Sequence, residues 1–266
     1  MILSTARKDG EAVKPLPLPP VFEGLVRDSD VFLTKLPKHE KAPAIGYRAA
    51  EIFFRYNMFD EARCRFEDVI ATYPASEAAG YAANLLIESY LTMKDWAAVE
   101  QASARLQGLQ VANNKALATT LQKFKLGGRF NRAMQLMEKK EFDQAAKGFI
   151  ALVDEDKSHE FADKALYNAA SAYEQARRFE SALKLYERIH ADYPQSSFAD
   201  DSLFRVAYNA ENTYDFEKAV QKYLLLVERY PQSKQRKNAM YNAARSLEHL
   251  QRYEDSAKAF ARYAQL

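Results

Sequence analysis

Hydrophobic and polar positions along this chain repeat on two length scales. Within each stretch, bulky apolar residues lie three, four and seven positions apart, which is the spacing of one face of an α-helix. Over longer distances, an aromatic residue followed three positions later by a small or short apolar residue returns at intervals of 37, 46, 37, 37 and 37 residues. We call these aromatics the marker aromatics: Phe59, Trp96, Phe142, Phe179, Phe216 and Tyr253. Four equal intervals predict a repeated architecture.

Each repeat is predicted to contain two amphipathic helices, helix A before the marker aromatic and helix B after it. Helix A carries a small residue, alanine in five of the six repeats, where two helices can approach closely and an aromatic of helix B can fill the gap. Helix B ends at a Tyr-Pro pair in three repeats, because proline cannot continue a helix. Twelve residues before the marker aromatics stand Tyr47, Asn84, Phe130, Tyr167, Phe204 and Tyr241.

The segment Leu166 to Pro194, LYNAASAYEQARRFESALKLYERIHADYP, resembles the tetratricopeptide repeat. The matching residues are Ala170, Tyr173, Phe179, Ala182, Tyr186 and Pro194. The resemblance extends over Ala44 to Leu266, with a degenerate second repeat and with Lys157 in place of the proline of the third. It implies an all-α, right-handed superhelical solenoid of about six helix pairs. It also implies a protein–protein interaction scaffold without catalytic activity.

The repeats suggest four segments along the chain. These are a Pro-rich extended segment at 1–43, repeats one and two at 44–111, an irregular junction at 112–128, and repeats three to six at 129–266. Gly127 and Gly128 predict either a hinge in the junction or a longer helix A without a functional bend. The Pro-rich sequence KPLPLPPVFEGL is typical of polyproline II. It is a ligand for a proline-binding partner, an extended linker, or a strap across the first repeat.

Composition and motifs argue against several classes of function. A net charge of +2 provides no case for binding nucleic acid or an anionic membrane, and no apolar run is long enough to span a bilayer. The single Cys64 excludes an internal disulfide and a cysteine-based zinc site, and its place on helix B predicts a buried thiol. No phosphate-binding loop, nucleophile motif or paired histidine spacing occurs. We therefore predict no catalytic residue, no metal site and no cofactor.

The resemblance implies that a protein or peptide partner binds along the A helices. The expected partner-binding residues are Tyr167 and Ser171, Phe204 and Tyr208, and Tyr241 and Arg245, one helical turn apart within each pair. An aromatic ladder edged by polar groups suits an extended or helical peptide. The alternative is that these tyrosines pack against neighbouring helices. The Lys/Asn clamp with which chaperone adaptors hold a terminal carboxylate is not recognisable here.

The cellular location is predicted from the junctions between repeats. Their extended Tyr-Pro-x-Ser form resembles that of bacterial envelope proteins such as outer-membrane assembly lipoproteins and Tol–Pal coordinators, which implies the periplasm or cell envelope, with the cytoplasm as the alternative. Phe260 and Tyr263 occupy packing positions at the end of the sequence. We expect this end to continue into further chain, to dock on a partner or to form a homo-oligomer. Two rival functions are a helical region of a larger enzyme and a self-assembling structural subunit.

Overall fold

The protein is all-α in the computed structural model, which describes residues 13–266 and contains no strand within that range. The helices are α1 (Pro20–Lys35), α2 (Ala42–Arg55), α3 (Phe59–Thr72), α4 (Glu77–Thr92), α5 (Trp96–Gln107), α6 (Lys115–Glu138), α7 (Phe142–Glu155), α8 (Ala162–Gln175), α9 (Phe179–Asp192), α10 (Ala199–Asn212), α11 (Phe216–Arg229), α12 (Arg236–His249) and α13 (Tyr253–Ala264), with a 3₁₀ turn at Gln110–Asn113.

The helices form the predicted pairs. Helices α2, α4, α6, α8, α10 and α12 are the A helices of repeats one to six, and every B helix begins at its marker aromatic. Successive helices pack on one another from α1 to α5 and from α7 to α13. The short A–B turns make the two helices of a pair antiparallel. This confirms the predicted fold class, an all-α array of consecutive helix pairs.

The chain divides into two compact units within α6. Unit 1 comprises Met1–Asn131 and unit 2 comprises Arg132–Leu266. The core of unit 1 is built from α2 to α6 and includes Phe66, Leu86, Ile87, Leu106 and Leu121, all fully buried. The largest fully buried side chains of unit 2 are Phe149, Leu152, Leu166, Tyr186, Ile189 and Tyr223. Each unit therefore has a core of its own, formed by the small and aromatic positions of the repeat.

Helix α6 runs without a break through Gly127 and Gly128. Neither glycine interrupts the helix, and the irregular stretch is confined to the residues before Lys115. Gly128 has a packing role, because a Cβ atom there would lie 3.0 Å from the Glu100 backbone nitrogen and 3.0 Å from Val99 Cγ1. At Gly127 a Cβ atom would meet nothing within 4 Å. Only Gly128 is required for the close approach of α6 to α5.

All six A helices end in the same turn. At the end of α8, Arg177 N–H donates to the Glu174 carbonyl at 2.9 Å and Arg178 N–H donates to the Tyr173 carbonyl at 2.7 Å. This is the Schellman pattern, in which the residue after the helix cap takes a left-handed conformation and is usually glycine. None of the six is glycine here: Asn57, Lys94, Lys140, Arg177, Tyr214 and Gln251 have φ between 55° and 63°.

The Tyr-Pro pairs join neighbouring repeats as well as ending helices. In each case the tyrosine hydroxyl donates to the backbone carbonyl at the proline position of the preceding repeat. The three bonds are Tyr73 to Pro37 at 3.0 Å, Tyr193 to Lys157 at 2.9 Å and Tyr230 to Pro194 at 3.1 Å. Because the acceptor is a main-chain carbonyl, Lys157 serves as well as proline. The recurring Tyr-Pro pair therefore has a structural role, since it links neighbouring repeats.

The prediction of an extended segment over 1–43 was wrong for residues 20–35, which form α1. Phe22 lies 37 residues before the first marker aromatic, and Pro37 lies 37 residues before Pro74. Helix α1 packs on α2. It thus occupies the helix B position of an incomplete repeat that precedes the first complete one.

Residues 13–19, which we call the strap, lie outside the helices and contact the end of the first helix A. The sequence predicted a strap that uses Leu16, Leu18, Val21 and Phe22, but Val21 and Phe22 belong to α1 and the side chains of Leu16 and Val21 are exposed. The Leu16 N–H donates to the Tyr56 carbonyl at 2.8 Å, and Asn57 Nδ2 donates to the Lys14 carbonyl at 3.2 Å. The ring of Phe22 packs against Tyr56 with centroids 5.7 Å apart. Pro19 has φ −61° and ψ 144°, the polyproline II conformation. The first twelve residues of the predicted Pro-rich segment lie outside the described residues.

The prediction of a buried Cys64 was wrong, since this residue is exposed. The buried face of α3 is formed by Ala62, Phe66, Val69 and Ile70. Cys64 lies two positions from both Ala62 and Phe66, which places it on the opposite side of a helix with 3.6 residues per turn.

Candidate partner-binding face

The six residues predicted to bind a partner lie on the A helices of unit 2. We call them the A-helix face: Tyr167 and Ser171 on α8, Phe204 and Tyr208 on α10, and Tyr241 and Arg245 on α12. The two residues of each pair lie four positions apart and so share one side of their helix.

Tyr167 is held by contacts within the protein. Its hydroxyl donates to Asp201 Oδ2 at 2.7 Å, and its ring stacks on Phe198 with centroids 4.7 Å apart. A T-shaped contact to Tyr186, with centroids 5.7 Å apart, covers a further part of the ring. Burial raises the pKa of Tyr167, and the hydrogen bond to Asp201 raises it further. The alternative prediction, a tyrosine that packs against its neighbours, describes Tyr167 well; Ser171, one turn on, is half-buried.

Phe204 and Tyr208 form a parallel ring pair on α10. Their centroids are 6.4 Å apart with an angle of 7° between the planes. Phe204 is half-buried against Tyr223, whereas 52% of Tyr208 is exposed. Phe204 thus supports a tyrosine that is available for contact.

Tyr241 and Arg245 are both exposed on α12. The Tyr241 ring contacts Phe260 and Tyr263 with centroid distances of 5.8 and 5.6 Å, and 40% of the residue remains accessible. Phe260 and Tyr263 are themselves half-buried. Arg245 Nε lies 3.4 Å from Glu248 on the same helix. A pair this exposed contributes little to stability, so Arg245 can exchange partners at low cost.

These contacts leave fewer of the six predicted residues accessible to a partner. Among the described residues, Tyr167, Phe204 and Tyr241 make no ring contact with one another, so they do not form a continuous ladder. The predicted residues that offer exposed surface are Tyr208, Tyr241 and Arg245. They combine two phenolic rings with a guanidinium group, side chains that are enriched at the energetic centres of protein interfaces.

A polar network beside this face was not predicted from the sequence. Arg205 donates to Asp201 and to Glu174, each at 2.8 Å, and Glu174 also accepts from the Tyr186 hydroxyl at 3.0 Å. Asp201 completes the network through Tyr167. The network connects α8, α9 and α10 and fixes the base of the A-helix face.

The next repeat contains a related network. The Tyr223 hydroxyl donates to Glu211 at 2.7 Å and accepts from Asn242 Nδ2 at 3.1 Å. Burial is the main cause that raises the pKa of Tyr186 and of Tyr223. The sequence carries a signal for both networks, because each of these tyrosines lies twelve residues after a glutamate. Where helix B has phenylalanine instead, at Phe66, Phe149 and Phe260, the residue twelve before is Phe54, Met137 and Glu248, so the signal requires both the tyrosine and the glutamate.

Unit 1 has a cleft of about 460 Å³ between the start of α4 and the start of α6. Asn84 lines it at the position that is aromatic in the other five repeats, together with Tyr81, Gly80 and Leu117. The Asn84 Oδ1 atom is buried and has no hydrogen-bond partner. The nine extra residues before the third repeat lengthen α6 and supply one wall of this cleft, which was not predicted as a site.

Residues 13–266 contain no group of three His, Cys, Asp or Glu side chains placed to hold a metal ion. None of the helices in this range combines the length and the hydrophobicity needed to cross a membrane.

Two repeats of this chain match a known family model. Residues 164–196 and 201–233 match the sequence profile of the tetratricopeptide repeat. The matched segments are repeats four and five, which contain Tyr167, Ser171, Phe204 and Tyr208. No curated protein matches the chain in sequence.

Several solved structures are similar in fold. MamA AMB-1 is 12% identical with a TM-score of 0.43, and the match covers 72% of this chain and 93% of that one. PilF of Pseudomonas aeruginosa is 12% identical with a TM-score of 0.40, covering 92% of this chain and 90% of that one. A MamA RS-1 double mutant is 10% identical with a TM-score of 0.34, covering 80% and 96%.

Proposed function

We propose that this protein is a non-catalytic interaction scaffold that binds a peptide or protein partner on the A-helix face of unit 2. The observation that carries the proposal is the exposed set Tyr208, Tyr241 and Arg245, of which the two tyrosines are held by ring contacts to Phe204, Phe260 and Tyr263. The tetratricopeptide repeat match over repeats four and five supports the same function.

The composition of this face favours a peptide held by ring contacts and hydrogen bonds. Tyrosine supplies a large contact area and a polar hydroxyl with few rotatable bonds, so little conformational entropy is lost when it is immobilised. Arg205, beside this face, is already paired with Asp201 and Glu174. Arg245 is the charged member of the face with an exposed, weakly held guanidinium group.

A pull-down from the native host tests this proposal. The double variant Tyr208→Ala/Arg245→Ala removes exposed side chains without touching the polar networks, whereas Tyr167→Ala would break one. We expect the double variant to lose a partner that the wild type retains, and Lys184→Ala, on the B helix α9, to retain it. Equal recovery by all three proteins, each with unchanged circular dichroism, would contradict the proposal.

We also propose that the scaffold works in a bacterial cell-envelope complex. The proposal rests on the extended Tyr-Pro-x-Ser junctions and their resemblance to those of envelope repeat proteins. Subcellular fractionation of the native host tests it: the protein should be recovered with periplasmic or envelope fractions. Recovery with the cytoplasmic fraction alone would rule this setting out.

A further inference from the structure

An extended Pro-rich segment already binds one A–B turn of this protein. At the end of α2, the strap of residues 13–19 makes two hydrogen bonds to the turn. The Tyr56 carbonyl at the helix cap accepts the Leu16 N–H, and the left-handed residue Asn57 donates from its side chain to the strap. The Tyr56 ring packs against Phe22, just beyond the strap.

The corresponding turn of repeat five has the same main-chain form. Thr213 takes the place of Tyr56 at the end of α10, and Tyr214 takes the place of the left-handed Asn57. No hydrogen bond to the Thr213 carbonyl occurs among the described residues. This helix-end carbonyl is therefore available to an external N–H donor, as the Tyr56 carbonyl is to the strap.

The turn of repeat five is also an aromatic platform. Tyr214 contacts Phe216 with centroids 6.1 Å apart, and Phe216 stacks on His249 at 4.5 Å with 11° between the planes. Tyr214 is 81% exposed, although a left-handed backbone is unfavourable for so bulky a residue. The marker aromatics of the flanking repeats, Phe179 and Tyr253, are 54% and 67% exposed. Contiguous exposed patches mark interaction surfaces in soluble proteins, and the contacts from Tyr214 through Phe216 to His249 make these three rings contiguous.

We propose that the A–B turn of repeat five binds an extended, proline-rich segment of a partner protein. In polyproline II the backbone carries no internal hydrogen bonds, so an N–H next to a proline pair can donate to Thr213 as Leu16 donates to Tyr56. Pyrrolidine rings pack on exposed aromatic faces, and the ring of Tyr214, which stands at 81° to that of Phe216, provides one. This site lies at the turns between A and B helices and does not depend on the A-helix face.

A peptide of this chain's own strap is a suitable probe. The labelled peptide VKPLPLPPVF, residues 13–22, is titrated into the full-length protein and followed by fluorescence anisotropy. We expect saturable binding that Tyr214→Gly weakens by about tenfold or more, as expected for an aromatic at an interface centre. Because glycine suits the left-handed turn, this variant should melt at or above the wild-type temperature, so lost binding cannot be attributed to unfolding. The variant Tyr208→Ala, on the A-helix face, should bind the probe like the wild type.

Two further measurements test which feature of the peptide is recognised and where on the protein it binds. A peptide with every proline replaced by alanine should bind at least about tenfold more weakly, because the extended conformation is no longer preformed. Asn57→Ala should leave the affinity unchanged; a loss equal to that of Tyr214→Gly would place the probe on the first repeat and overturn the proposal. Absence of binding, or equal binding by the wild type and Tyr214→Gly, would also overturn it. So would a dimer in sedimentation that Tyr214→Gly dissociates, since the platform would then serve a second copy.

Discussion

Replacing Arg177 by glycine should stabilise the protein. Arg177 follows the end of α8 with φ 58°, a conformation in which the Cβ atom of an L-residue is crowded by its own backbone. Its side chain is exposed and makes no ion pair within residues 13–266, in contrast to its neighbour Arg178, which pairs with Asp143. The substitution therefore removes strain and sacrifices no packing.

The size of the effect follows from two opposing contributions. The left-handed conformation costs a residue with a Cβ atom about 1–2 kcal/mol, which glycine avoids. Glycine in turn stabilises the unfolded chain by about 0.5–1 kcal/mol through its greater backbone entropy. The net gain is about 0.5–1 kcal/mol, which corresponds to a rise of roughly 1–4 °C in Tm for a chain of this size.

Thermal melting followed by circular dichroism at the helix band measures this gain, and two variants serve as controls. Arg177→Ala keeps the Cβ atom, so its Tm should stay near that of the wild type. Asn57→Gly should not stabilise, since asparagine tolerates the left-handed region and this side chain binds the strap. A rise in Tm for Arg177→Ala equal to that for Arg177→Gly would show that backbone strain is not the cause.

Three other outcomes are expected. Gly128→Ala should destabilise by about 1–3 kcal/mol in urea titrations, because its Cβ atom clashes with α5, whereas Gly127→Ala should stabilise by about 0.5–1 kcal/mol. Tyr223→Phe should destabilise by about 1–3 kcal/mol, since it leaves the Glu211 carboxylate without its donor; a change below about 0.5 kcal/mol would contradict the network. Because burial raises the pKa of Tyr223, folding favours its neutral form. The contribution of Tyr223 to the free energy of unfolding should be complete below about pH 10 and be lost as the pH rises further. Above that pH, the free energy of unfolding should therefore fall less steeply in Tyr223→Phe than in the wild type.

The helix pairs were predictable because their signal is local. Spacings of three, four and seven residues report which side of a helix is buried, and the 37-residue interval reports the repeat, so every B helix begins at its marker aromatic. Helix α1 was missed for a specific reason. Its marker, Phe22, is followed three positions later by Leu25 rather than by a small residue, and the adjacent prolines favoured an extended prediction.

The candidate face was only partly predictable because its character depends on contacts between repeats. Helical spacing placed Tyr167 and Tyr241 at equivalent positions of the repeat. It could not distinguish the first, which is bonded to Asp201, from the second, which is exposed. The left-handed residues that end the six A helices could not be predicted either, since the residue types at these positions share no common chemistry. The buried tyrosine–glutamate pairs, in contrast, follow a twelve-residue spacing that can be read directly from the sequence.

Photo-crosslinking at single positions tests the proposed scaffold function most directly. Replacing Tyr208 by p-benzoylphenylalanine puts the reactive group on the A-helix face, and the same replacement at Lys184, which is 72% exposed on α9, puts it on a B helix. In cells of the native host we expect a discrete partner adduct from position 208 and none from position 184. Adducts of equal yield at both positions, or at position 184 alone, would contradict partner binding on the A-helix face.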